Sequence, residues 1–154
     1  GPDATTTTAP PVFCEAREVW VMFVVQPGER NVADQRLLEY RLTNLPDRDT
    51  THVLRATLKE IRDRAVVKTE LASHGSPVPV LSMDGHEISV VYFRAGYTPD
   101  DYPTESEWEA RALVEGSFSI KCPCLPYQLA GTKKVQQALA DPGQLERFVK
   151  DPAE

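Results

Sequence analysis

The sequence predicts a three-layer α/β fold on a mostly parallel, Rossmann-like sheet with an antiparallel hairpin extension. Three observations carry this reading. Val19–Val25 (VWVMFVV) is a continuous apolar run of strand length, the pattern of a strand covered on both faces. Strand-like and charged, helix-like stretches follow it in β-α-β-α order, which implies parallel strands joined by crossover helices. Met83-Asp84-Gly85-His86 then sets an Asp-Gly pair, the signature of a type I′ turn, between two strand-like segments.

Along the chain, Asn31 is suited to cap a helix over Val32–Leu42, where Leu37, Leu38 and Leu42 form a partial apolar stripe. Asp34 falls in its first turn, where a negative charge favours the helix dipole. Pro46-Asp47 reads as a turn, His52–Ala56 as a second strand, and Leu58–Val67 as a charged, amphipathic helix. Ser73–Pro79 reads as a loop, after which Val80–Met83 pairs antiparallel with the long strand Glu87–Phe93. A Pro-rich loop (Thr98–Thr104) precedes a helix near Glu105–Phe118, a brief strand at Ser119–Lys121, and helices around Thr132–Ala140 and Gln144–Val149. Trp20 and Trp108 are expected in or beside the core.

Composition bounds the function. The 154 residues suit one domain, and 41% hydrophobic content is that of an ordinary globular protein. A net charge of −6 argues against a nucleic-acid surface, which needs clustered Lys and Arg. Apolar runs stop far short of the roughly 20 residues that span a bilayer. No positively charged leader opens the sequence, so a cytoplasmic location is expected. Three cysteines, Cys14, Cys122 and Cys124, do not suggest a disulfide framework. Gly1-Pro2 resembles the scar of a cleaved tag, and residues 1–11 read as a polar, disordered tail. A folded domain is expected over 12–150, and 151–154 read as a truncated end, so the chain is taken as one domain of a larger protein or its detached relative.

The chemistry gathers at two strand ends. Val19–Val25 runs into Gln26-Pro27-Gly28-Glu29-Arg30-Asn31, and Ile88–Phe93 into Arg94-Ala95-Gly96-Tyr97. Parallel strands deliver their carboxyl ends to one edge, where ligands bind. Arg94 carries a planar fork suited to a carboxylate. Glu29 is able to receive an ammonium, while Gln26, Asn31 and Gln35 offer neutral donors and acceptors, together a pocket for a zwitterion or a peptide. The same residues also suit plainer roles: a cap for Asn31, a salt bridge for Arg94, turns for Gly28 and Gly96.

Other signals are thinner. Gly131-Thr132-Lys133-Lys134 lacks the full phosphate-loop pattern, which leaves Lys133 as either a phosphate contact or a solvated surface lysine. Cys122-x-Cys124 lacks a second ligand pair, and His52, His74 and His86 are scattered, so no metal is expected on this segment alone.

Four strings, QPGERNVADQRLLEYRL (26–42), DGHEISVVYFRAGY (84–97), WEARALVE (108–115) and QLAGTKKVQQAL (128–139), resemble the substrate-binding domain of the eukaryotic glutathione synthetase family. The resemblance runs from about Val19 to Gln144. It implies a ligase that joins γ-glutamylcysteine to glycine, with ATP cleaved to ADP and phosphate. Glu29, Arg30, Asn31 and Gln35 match the family's contacts to the γ-glutamyl substrate, Arg94, Ala95, Gly96 and Tyr97 its second substrate loop, and Lys133 a nucleotide-contacting lysine. One departure stands out: the loop often reads R-D-G-Y, and Ala95 replaces its Asp. The resemblance further implies ATP and Mg2+ in the full-length enzyme, a homodimer, and an ATP-grasp part that carries the magnesium carboxylates. No catalytic residue is then expected within this chain, and no ligase activity of it alone. A different class remains open, a detached non-catalytic module that binds a γ-glutamyl peptide or a protein partner.

Overall fold

A computed structural model describes residues 18–44, 51–72 and 75–149. The tail over 1–11, the Pro46-Asp47 turn, the end at 151–154, Cys14 and His74 lie outside the described residues. In chain order the elements are β1 (Val19–Val24), α1 (Val32–Thr43), β2 (Thr51–Ala56), α2 (Leu58–Arg64), β3 (Ala65–Leu71) and β4 (Pro77–Met83). They continue with β5 (His86–Phe93), α3 (Glu105–Glu115), β6 (Ile120–Cys122), α4 (Leu125–Ala130) and α5 (Lys133–Leu139). Single 3-10 turns stand at Pro99–Asp101 and Leu145–Arg147.

The strands lie in the order β2-β1-β5-β4-β3, with β6 also beside β5. β1 pairs in parallel with β2 and β5, and β5 in parallel with β6, whereas β4 runs antiparallel to both β5 and β3. One edge of β5 is divided: β4 takes His86 and Glu87, and β6 takes Val90–Tyr92. The parallel pairs bring Val24, Ala56, Phe93 and Cys122 to a common edge.

β1 is apolar throughout because helices cover both its faces. Met22 and Val24 point into the main core with Leu58 and Ile61 of α2 and Ala110 and Val114 of α3. Val21, Phe23 and Val25 face the other way, toward Leu42 of α1. The α2/α3 side holds most of the buried side chains, at roughly 1.5–3 kcal/mol for each large one.

Several expectations are corrected. The stripe on α1 does not face the core: Leu37 and Leu38 are 65% and 42% exposed, and the buried residue of the helix is Gln35. Asn31 stands at the N-cap position but makes no capping side-chain bond; its own backbone N–H is held by Glu29. The helix expected over Leu58–Val67 ends at Arg64, and Ala65–Leu71 is a strand. Ala65-Val66-Val67 favours extended backbone, and β4 captures it in register from Ala65↔Met83 to Leu71↔Pro77. That pairing also draws Pro77–Pro79 out of the expected loop. The Asp-Gly turn forms as read, with positive φ at Asp84 (54°) and Gly85 (86°).

Farther along, α3 stops at Glu115, β6 sits one residue later than expected, and the helix over Gln144–Val149 is reduced to a 3-10 turn. α4 was not anticipated; Pro126 sits at its start, where a missing N–H costs nothing. Trp108 is half-exposed and stacked on Tyr102, whereas Trp20 lies between His52 and His86.

α2 and α3 each open on a capping box, Thr57 with Glu60 and Thr104 with Glu107. The Thr57 backbone N–H and the Thr104 hydroxyl hold the Glu60 and Glu107 carboxyls below the usual carboxylate range. A depressed folded-state value contributes stability above the ordinary range and loses it as pH falls through the folded value. Thr104→Ala is therefore expected to cost about 1 kcal/mol in urea unfolding at neutral pH, and less in acid, where Glu107 is protonated in both proteins. An equal cost at both pH values would contradict this account.

Candidate functional site

The two loops start side by side because the sheet's hydrogen bonding continues past the strand ends. Val25 N–H donates to Ala56 O at 2.9 Å, and Arg94 N–H donates to Val24 O at 2.8 Å. The first loop turns at Gly28, whose φ is +66°, and brings Glu29 over the start of α1. Glu29 Oε1 accepts the Asn31 N–H at 2.8 Å, and Oε2 accepts from Gln35 Nε2 at 3.1 Å. The Asn31 N–H is the main reason that the Glu29 carboxyl lies below its ordinary range. Gln35 in turn accepts a hydrogen bond from Arg55 Nη2 of β2.

Arg94 reaches the same turn of α1. Its Nη2 donates to Asp34 Oδ2 and its Nη1 to the Tyr92 hydroxyl at 3.3 Å. Bonding to Tyr92 and the charge of Asp34 both favour the guanidinium form. Asp34 Oδ1 and Arg55 Nη1 are buried with no protein partner. Glu29, Gln35 and Arg94 thus converge through α1, while Asn31 and Arg30 are exposed.

The second loop is held from below. Gly96 O accepts from the Tyr102 hydroxyl and from Gln128 Nε2, both at 3.0 Å, and Asp101 Oδ2 accepts the Tyr97 N–H at 2.9 Å. Arg111 is buried over the Phe93 ring, 4.0 Å from its centroid, and its Nη1 donates to the Tyr102 hydroxyl at 3.3 Å. The Tyr97 hydroxyl donates to Phe93 O. Ala95 is 3% exposed, so a carboxylate in its place would need a buried donor. On the other side of the loops a cavity of about 500 Å³ opens between Gln26, Thr57, Lys59, Ala95, Tyr97 and Asp100.

Lys133 takes no part in this network; it is exposed in the first turn of α5. Among the described residues, no group of three or more His, Cys, Asp or Glu side chains is placed to hold a metal ion. Among the same residues, no helix is long and apolar enough to cross a membrane.

Sequence reading missed the residues that support the loops. Asp34 was read only against the helix dipole, though it is the partner of Arg94. Arg55 carried a signal, a lone charge inside a strand-like run. Tyr92, Tyr102, Arg111 and Gln128 had none, since each acts through contacts across the fold.

Gly96 has a φ of +86°, and a Cβ there would lie 2.9 Å from the Tyr102 hydroxyl oxygen. Gly96→Ala is expected to destabilise the chain by about 1–2 kcal/mol from the left-handed backbone alone. Urea unfolding measures this, and wild-type stability would mean that the loop relaxes without cost.

Comparison with known proteins bears on the same segments. The description "Eukaryotic glutathione synthase" matches residues 19–130. Glutathione synthetase of Dictyostelium discoideum is 45% identical over 136 residues, 87% of this chain and 27% of that protein. The chloroplastic enzyme of Arabidopsis thaliana is 46% identical over 129 residues, 84% of this chain and 22% of its own length. The Homo sapiens protein is 42% identical over 129 residues, 84% of this chain and 24% of its own length. The chain thus spans about a quarter of the length of these relatives. Among solved structures, a glutathione synthetase-like effector of Globodera pallida in its apo form shares the fold, with a TM-score of 0.60 and 21% identity. That match covers 86% of this chain and 28% of the effector. With the family match running from β1 through α4, the chain belongs to the eukaryotic glutathione synthase family.

Proposed function

We propose that this chain is the substrate-binding domain of a glutathione synthetase, the ligase that joins γ-glutamylcysteine and glycine at the expense of ATP. One observation supports this best: a carboxylate, Glu29, and a guanidinium, Arg94, are presented from adjacent loops over one turn of α1. That is the complement of an amino-acid head group, whose ammonium goes to Glu29 and whose carboxylate goes to Arg94. Asp34 and Tyr92 leave part of the Arg94 fork for a substrate oxygen. Asn31, Gln35 and the loop through Ala95, Gly96 and Tyr97 complete the γ-glutamyl contacts, with Arg30 at the rim.

In the whole enzyme ATP activates the dipeptide's carboxylate. Lys133, an exposed cation in the first turn of α5, is the residue assigned in this proposal to a phosphate of the nucleotide. The magnesium ion is assigned in this proposal to the ATP-grasp part, as the family resemblance implies. The chain by itself is accordingly a binding unit without ligase activity, and release of ADP or glutathione by it is expected to match a no-enzyme control. A cytoplasmic location and a homodimeric full-length enzyme complete the proposal.

Arg94→Lys keeps the charge but loses the planar fork. Calorimetry with γ-glutamylcysteine is expected to show affinity for the chain falling about ten- to a hundredfold, the worth of a charge-assisted bond. Unchanged affinity in a folded variant would move the site elsewhere. In the full-length ligase, Lys133→Ala is expected to raise KM for ATP and leave KM for the dipeptide unaltered. An unaltered ATP dependence would return Lys133 to the solvent.

A further inference from the structure

We infer that Arg55 is a positioning residue of the two-loop site: it fixes the orientation of the Gln35 amide and so presents Glu29 to the ammonium of the substrate. This rests on the γ-glutamyl reading given above. Gln35 is ambiguous by itself. The two ends of a carboxamide are nearly the same size and opposite in polarity, so packing alone does not choose between them. Gln35 is 1% exposed, and bulk water does not choose either.

Arg55 does. A guanidinium only donates, so the oxygen of Gln35 has to face it, and the Gln35 NH2 is then turned toward Glu29. With the amide reversed, its oxygen would meet the Glu29 carboxylate and its NH2 would meet a cation, unfavourable on both sides. The chain of donors runs from Arg55 through Gln35 to Glu29. Together with the Asn31 N–H it occupies one acceptor position on each carboxylate oxygen. A carboxylate offers about four such positions, so Glu29 is held in place and still has capacity for an ammonium.

Two further facts describe the setting of Arg55. Arg55 is paired in register with Phe23 of the central strand, which gives its side chain a rigid base. Yet its Nη1 is buried without a protein partner, and Asp34 Oδ1 beside Gln35 in sequence is likewise unpartnered. A buried, unpaired donor works against folding. An apolar residue of similar length would remove that cost but leave the buried Gln35 oxygen without its donor, so the same arginine serves the docking of α1 and the orientation of the amide.

The test uses the 154-residue chain, with Arg55→Met, Arg55→Gln and Arg55→Lys. Carboxyl carbon NMR follows the titration of Glu29, and calorimetry follows γ-glutamylcysteine. In Arg55→Met the Gln35 oxygen loses its donor and the amide is no longer held against Glu29, so the Glu29 midpoint is expected to rise and affinity to fall about tenfold, the worth of one hydrogen bond in the site. Arg55→Lys keeps a donor and is expected to restore most of both. Arg55→Gln, whose own amide can face either way, is expected to raise the midpoint too and decides the matter if Arg55→Met does not fold. A midpoint unchanged in a folded variant overturns the positioning role, whatever the affinity. A wild-type chain that fails to bind the dipeptide overturns the substrate reading instead, and the titration still judges the hold of Arg55 on Gln35.

Discussion

Everything at the site depends on the parallel pairing of β1 between β2 and β5. Two hydrogen bonds extend it beyond the strands, from Val25 to Ala56 and from Arg94 to Val24. Without them Glu29 and Arg94, 65 positions apart in sequence, would have no reason to meet. Because β1 is buried on both faces, its register is costly to change, and a slip of one residue would turn Val21, Phe23 and Val25 against the wrong layer. The loops inherit that rigidity.

Above the sheet, polar contacts take over from packing. α1 contributes little apolar burial, and its best-buried side chain is an amide. It is docked through Gln35 to Arg55 and through Asp34 to Arg94, so the helix and the loops hold one another in place. Such a network is strong when complete and costly when broken, since each buried partner left alone keeps its desolvation penalty. The second loop follows the same rule from the opposite side, where Arg111, Tyr102 and Asp101 hold Gly96 and Tyr97. Site and scaffold are therefore not separable here.

The β3-β4 ribbon shows a different balance. Its residues alternate poorly, and Arg62 and Arg64 lend a helical look to the stretch before it. Local propensity reads Leu58–Val67 as one helix. Pairing with β4 decides otherwise, because Val67 gains a place against the core and β3 is paired with β4 along its whole length, from Ala65 to Leu71. The Asp-Gly turn, by contrast, was legible at once, since few residue pairs accept two positive φ angles in succession.

The α/β class, the central strands, the hairpin turn and the two polar clusters at the strand ends are legible in the residues alone. These follow from short-range patterns: apolar runs, turn residues and the period of charge. The residues also carry the family, through four motifs in order. It takes the folded chain to show that Asn31 does not cap α1, that Leu37 and Leu38 face solvent, and that Ala65–Leu71 is a strand. The fold alone shows Arg94 paired with Asp34, and Glu29 tied through Gln35 to Arg55. The physical reason is common to all of these. A helix cap, an exposed stripe or a salt bridge is chosen by competition among partners, and partners brought together by sheet register are invisible to a window that reads neighbours along the chain.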